Sequence, residues 1–417
     1  MNATAFTLRE ATVLDQAGSF VGPLDIHVEN GRVAAIGANL PAVEGPSVDF
    51  SGLWLLPGVF DCHDHLALST VEMAEVLNTP VSQWALEAAR NARLTLEAGV
   101  TFVRDLAGAD RGLRDSLTAG YVPGPRLQIS VVLICQTGGH GDAYLRGAGL
   151  EMMLTPDFPG RPPYVVDGAD AMRHTVRATL RAGADWIKLA TTGGLVSEHD
   201  QPLIPELTPE EIAVAVFEAG RKGKHVSAHA YGGPGLTNAV EAGARSIEHG
   251  GFITEEQAAL MAKRGCFLVP TLSAMRDCLR WAEEGALTPT QCKKILDLGL
   301  DMGQCVQIAK QYGVPLASGT DYINREQHGR NLEELTLMHQ AGLTVEETLR
   351  VATAGGAELC GVADDYGRIA EGYMFDAVVL DADPGDLTVF ATPGAVTGVF
   401  QAGRAAVPHP RLAEAGV

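Results

Sequence analysis

Between residues 58 and 320 the chain repeats one pattern: apolar residues at helical spacing, a glycine, then a short β-branched or aromatic-rich run. In order, the repeats are LEAGVTFVRD (96–105), LRAGADWIKL (180–189), GRKGKHVSAH (220–229), VEAGARSIEH (240–249), AKRGCFLVPT (262–271) and KQYGVPLASGTD (310–321). Glycine directly after a helix takes the left-handed stop conformation at least cost. The apolar run that follows reads as a parallel strand buried on both faces. Two more strands, LWLLPGVFDCH (53–63) and RLQISVVLIC (126–135), lack the glycine prelude. Helical spacing covers 82–98, 169–182, 208–222, 254–264 and 290–312. Thr208 followed by Pro209 and two glutamates supplies an N-terminal cap. Eight alternating units predict an α/β fold, a (β/α)8 TIM-like barrel. An open doubly wound sheet would need a glycine fingerprint at its first turn, and PGVFDCHDH contains none.

The flanks follow another rhythm. Residues 5–50 alternate apolar and polar, and LDIHVENGRVAAIG places Asn30-Gly31 between two strands as a two-residue hairpin turn. The same character returns over 366–407. Two β segments at opposite chain ends predict one small β-sandwich, with 1–57 and 361–417 as its parts and 58–360 as the barrel. A net charge of −20 over 417 residues argues against nucleic acid or an anionic membrane as partner. The seven cysteines form no C-x-x-C pair, and several lie within apolar runs. Neither a secretory leader nor eighteen uninterrupted apolar residues is present, so a soluble, reduced, cytoplasmic protein is expected.

Candidate chemistry gathers where the predicted strands end, which in a barrel is the catalytic face. His63 and His65 end the first strand and, two apart, share a face. Lys188, His229 and His249 end the fourth, fifth and sixth, each five or six positions past glycines 183, 223 and 243. That spacing predicts one height in the barrel. Asp321 ends the eighth. Three readings fit the buried Lys188: an ion pair with Asp105, a Schiff-base amine, or a carbamylated amine bridging two divalent metals. Imidazoles and carboxylates are a ligand set for zinc and similar ions.

This pattern resembles the amidohydrolase superfamily, and the phrases PGVFDCHDHL, GVTFVRDL, CQTGGHGD, WIKLATTGG, VSAHAYG, SIEHGGFI, VPTL and ASGTDY extend the resemblance over nearly the whole chain. They are similar to the imidazolonepropionase-related branch and, within it, to metal-dependent Xaa-Pro dipeptidases (prolidases) and related carboxypeptidases. The resemblance implies two divalent ions, zinc by preference. His63, His65 and Asp321 would hold one, His229 and His249 the other, and carboxylated Lys188 would bridge them. It also implies a shared hydroxide nucleophile, Asp321 as general base, His140 at the substrate carbonyl and Tyr231 on a free α-carboxylate. Imidazolonepropionases of the branch use one metal and lack the bridging lysine, which favours a two-metal, peptidase-like site. Asp64 points away from the shared face and is expected to support the ligands rather than join them.

The expected activity is cleavage of an amide beside a free carboxylate, in Xaa-Pro or related dipeptides or N-acyl amino acids. The alternatives are a cyclic-amide hydrolase and a dipeptidase for C-terminal Arg, Lys or aromatic residues. The leaving-group pocket is expected in a loop over 272–289, with Met275 and Arg276 as substrate contacts beside Leu279, Arg280 and Trp281. Asp277, Glu283 or Glu284 would suit a basic leaving group. The Pro- and Gly-rich segment 143–168 reads as a loop over the site mouth or a contact between copies of a homo-oligomer.

Overall fold

A computed structural model describes residues 5–415 apart from residues 146 and 393. The two chain ends meet in one mixed, eight-stranded sheet. Its strands are β1 (Ala5–Leu14), β2 (Phe20–Glu29), β3 (Arg32–Gly37), β4 (Ser47–Asp49), β5 (Trp54–Pro57), β14 (Ala377–Leu380), β15 (Val396–Gln401) and β16 (Arg404–Val407). β5 joins the halves, pairing with β1 on one side and β14 on the other. The sheet closes on its own core, in which Phe6, Phe50, Phe375 and Phe400 pack with Leu8, Ile26 and Val379. Asn30 and Gly31 both take positive φ at the β2–β3 turn, as a two-residue hairpin of this kind requires. Expected strand 53–63 divides at Gly58, so that only its second half leaves this sheet.

The remaining strands run parallel in two sheets. One holds β6 (Val59–Asp64), β7 (Val100–Asp105) and β8 (Arg126–Ile129); the other holds β9 (Leu133–Ile134), β10 (Trp186–Ala190), β11 (His225–Ala230), β12 (Ser246–His249) and β13 (Phe267–Val269). Glycines 99, 183, 223, 243, 265 and 313 all take positive φ before a strand or its equivalent, which is the punctuation read from the sequence. The third expected strand breaks into β8 and β9 because Val131 turns the backbone to positive φ. The eighth forms no ladder. Instead the segment 315–321 bonds both neighbours: Leu268 donates to Pro315, Ala317 to Leu268, Cys62 to Ser318, and Asp321 to His63. Pro315, which lacks a backbone N–H, interrupts the regular donor pattern there.

The helices Val81–Glu97, Ala169–Arg181, Pro209–Gly220 and Glu255–Arg264 fall where helical spacing placed them, the third opened by the Thr208–Glu211 capping box. The expected 290–312 helix is two, Pro289–Asp297 and Gln304–Tyr312. The stretch expected as a loop from 272 begins instead with a helix, Leu272–Glu283. No helix among the described residues is long and apolar enough to cross a membrane.

Candidate metal centre and cavity

The polar strand ends converge. Asp321 Oδ1 lies 3.3 Å from His63 Nε2 and 2.9 Å from His65 Nε2. The β6–β7 register shifts between Asp61 and Asp64, a local irregularity of the kind that re-aims side chains. His63, His249 and Asp321 offer ligand atoms that all lie within 4.8 Å of one another, a group able to hold a metal ion. His229 Nδ1 faces His249 Nε2 at 2.8 Å. His249, Thr271 and Asp321 all take positive φ, a strained conformation for non-glycine residues that their surroundings must impose. In register, Lys188 pairs with Ser227, two residues before His229, and His229 pairs with Glu248, one before His249. The three residues therefore stand at different ladder positions.

Partners outside the cluster fix each ring. His63 Nδ1 bonds Glu248 (2.9 Å), His65 Nδ1 bonds the Ala107 carbonyl (2.9 Å) and His249 Nδ1 bonds the Thr271 hydroxyl (2.7 Å). Burial pushes the His229 and His249 imidazoles well below the ordinary histidine range. Burial alone would raise the Asp321 carboxyl, but His63, His65 and His249 outweigh it and hold the group well below its ordinary value. Lys188 is buried and its Nζ has no hydrogen-bond partner among the described residues. Burial draws its ammonium down to about 8, against the carboxylates of Glu248 and Asp321. The suggested Lys188–Asp105 ion pair is absent among the described residues. Asp105 instead accepts the backbone amides of Leu66, Ala107 and Ala109. The imidazoles and the Asp321 carboxylate are a donor set that fits divalent cations, and the orphaned Lys188 amine is buried beside them.

A cavity of about 400 Å³ opens on this cluster, lined by Asp321, His229, Tyr231, His140 and Gln327 and walled by Leu195, Val196, Ala274, Cys278, Trp281 and Ile323. Tyr231 stacks on His249, with centroids 4.8 Å apart and planes 7° from parallel, and His140 stacks on His229 at 4.1 Å. Met275 and Arg276 are not among the residues that line the cavity. Along the helix Leu272–Glu283, positions 274, 278 and 281 share the cavity face at i, i+4 and i+7. Met275 turns into the core, and Arg276 is held by Glu333 (2.8 Å) and Asp277 (3.1 Å). Asp277 also accepts from Gln327 (2.7 Å), while Glu283 and Glu284 are exposed. None of these three carboxylates reaches the cavity.

Residues 54–406, most of the chain, match the amidohydrolase family. The chain belongs to that family. It is similar to an ochratoxinase of Aspergillus niger, 33% identical over 363 residues that cover 84% of this chain and 75% of that one. An imidazolonepropionase of Cupriavidus taiwanensis is 27% identical, covering 90% of this chain and 89% of that one. Among solved structures, a prolidase complexed with N-methylphosphonate-L-proline superposes with a TM-score of 0.89 at 31% identity, covering 96% and 99% of the two chains. This amidohydrolase is thus a hydrolase acting on C–N bonds.

Sequence reasoning missed the buried polar frame that supports the cluster in this amidohydrolase. Arg104 is wholly buried, its Nη2 lies 2.9 and 3.1 Å from the two Glu248 oxygens, and its guanidinium covers the Trp186 ring at 4.5 Å. Glu248 also accepts from the hydroxyls of Ser227 and Ser246. Asp61 accepts the His63 amide (3.2 Å), the Thr320 hydroxyl (2.7 Å) and the Asn331 amide group (2.8 Å). Asp64 accepts the His65 amide (2.8 Å) and faces His328 at 3.7 Å, away from the candidate metal group. The available signal was a charged residue at each of positions 104 and 248 inside otherwise apolar strands.

Proposed function

We propose that this amidohydrolase is a metal-dependent enzyme cleaving an amide bond beside a free carboxylate, in Xaa-Pro or related dipeptides or N-acyl amino acids. The observation that carries this reading is a cavity lined by Asp321, His229, Tyr231 and His140 together with an apolar wall. His63, His65 and Asp321 would hold one divalent cation and His229 and His249 a second, with Lys188 carboxylated on Nζ between them; zinc is the cation assigned. When bound, such cations supply an ionised water near neutral pH and polarise the amide carbonyl. Asp321, kept ionised by its histidines, takes a proton on its carboxylate and returns it to the departing nitrogen. Tyr231 donates its hydroxyl to the substrate carboxylate, and His140 meets the carbonyl side.

Leu195, Val196, Cys278, Trp281 and Ile323 offer apolar surface, and Asp321 is the lone carboxylate of the lining. That chemistry supports a proline, aliphatic or aromatic leaving residue over Arg or Lys, whose charge would find no carboxylate in that lining beyond Asp321, which the metal would occupy. The relation to imidazolonepropionase supports a second reading, a cyclic amide. Metal-reconstituted protein assayed against Xaa-Pro dipeptides, N-acyl amino acids and lactams tests both. Turnover of the first two classes is expected, and turnover of lactams alone would replace the first reading with the second.

The same reading closes the two parallel sheets into a (β/α)8 barrel over 58–360, supported by the bonds of 315–321 to β13 and β6. Residues 1–57 and 361–417 then form the companion domain. All seven cysteines are unpaired, as suits a cytoplasmic enzyme. Assembly into a homo-oligomer, read by sedimentation equilibrium, completes the proposal; segment 143–168, of which residue 146 lies outside the described residues, would serve the mouth or that contact.

A further inference from the structure

Lys294 sits on the helix Pro289–Asp297, about a hundred residues along the chain from the loop it holds. Its buried Nζ donates to the carbonyls of Gly194 (2.8 Å) and Ser197 (2.5 Å) and lies 3.3 Å from Asp200 Oδ1. From the same helix, Gln291 donates to the Val196 carbonyl. Asp200 is itself buried. Its Oδ1 accepts the Gly194 amide (3.2 Å) and the Ser197 hydroxyl. Its Oδ2 has no hydrogen-bond partner among the described residues and faces His140 Nδ1 at 3.4 Å.

These contacts settle which ring nitrogen of His140 is held. Ser197 Oγ lies 3.1 Å from Nδ1. Because the Ser197 proton goes to Asp200, its oxygen is left to accept from His140. Both neighbours of Nδ1 then offer acceptor oxygens, an arrangement that favours the Nδ1–H tautomer. The ring has little freedom to turn. It stacks on His229, and a Cβ on Gly194 would stand 2.1 Å from its Cε1, so the loop backbone passes directly against it. Both Glu206 oxygens accept the His140 backbone amide, at 2.9 and 3.0 Å.

We propose that Asp200, clamped by Lys294, is a positioning residue for His140: it fixes the Nδ1-protonated ring and leaves Nε2 as the ring nitrogen offered to bound substrate. The inference rests on the reading above, in which this cavity takes an amide substrate. Carboxylates that orient a functional imidazole through its far nitrogen act in this way, and their removal costs about 10- to 100-fold.

A simpler role would be to hold the loop whose Leu195 and Val196 wall the cavity. Asp200→Asn separates the two. Positioning predicts a kcat about 10- to 100-fold lower with KM changed less than about threefold, and almost no further loss when Asp200→Asn is added to His140→Gln. A KM rise matching the kcat loss, or an undiminished loss in the His140→Gln background, would overturn the proposal in favour of loop support. Nitrogen-15 spectra of the wild-type imidazoles, with His140 assigned by its absence in His140→Gln, give a readout independent of turnover. A protonated Nδ1 is expected, and a proton on Nε2 alone would overturn the proposal even in an active enzyme. A protonated Nδ1 in a protein that hydrolyses no amide would instead sink the functional reading while leaving the held ring in place.

Discussion

Arg104 Nη2 spans both oxygens of Glu248, at 2.9 and 3.1 Å, and both side chains are completely buried. The second Glu248 oxygen continues to His63 Nδ1 at 2.9 Å, so the ion pair is also the mounting of an imidazole in the candidate metal group. Burial would raise the Glu248 carboxyl, but Arg104 and Lys188 outweigh it and hold the group well below its ordinary value. Removing one partner leaves the other charged and without compensation.

Glu248→Gln is therefore expected to cost about 3 kcal/mol or more of folding stability, measured by denaturant unfolding of the metal-free protein. The same variant is expected to weaken metal binding at least about tenfold, since His63 loses the acceptor that orients it. Stability within about 1 kcal/mol of wild type would contradict the structural role given to this pair.

Tyr231 is fixed by stacking on His249, so Tyr231→Phe removes a hydroxyl with little change in shape. Its KM is expected to rise about tenfold, or ~1.4 kcal/mol, for substrates with a free carboxylate. Substrates with that carboxylate capped as an amide should show no such rise. Equal effects on both would remove the carboxylate contact from the account.

His328 lies buried behind β6, where its Nε2 donates to the Leu68 carbonyl (2.9 Å). Burial depresses its pKa to about 4. Below its ordinary value of 6.5 the unfolded chain takes up a proton that the folded chain refuses. This contribution to stability is complete above pH 6.5 and is lost as pH falls toward 4, to a total of about 3 kcal/mol. Unfolding free energies measured between those limits should fall about one proton's slope less steeply in His328→Gln. An unchanged slope would contradict the assignment.

The strand–helix alternation was legible because each helix stop needs a glycine and each buried strand an apolar run, and both signals are local. His63, His65, Lys188, His229, His249 and Asp321 were visible for the same reason, as polar residues ending apolar runs. The Arg104–Glu248 pair was not, because its members are 144 positions apart and neither shows its partner in the local pattern. The 315–321 segment resembles its sister strands in composition, yet Pro315 has no N–H to donate and the segment's scattered bonds form no ladder. With 272–289 read as a loop, nothing in the sequence told which way Ala274 and Met275 face. A helix sends 274, 278 and 281 to one face and 275 to the core.

The central claim is that amide hydrolysis depends on a cation pair gathered around Lys188. Stripping the protein with chelator and restoring zinc stepwise, while following hydrolysis of an N-acyl amino acid or Xaa-Pro dipeptide, tests it most directly. The account predicts activity that climbs until about two equivalents per chain are bound, and Lys188→Ala protein that loses both the second equivalent and turnover. Full activity in the stripped enzyme, or in Lys188→Ala, would contradict it.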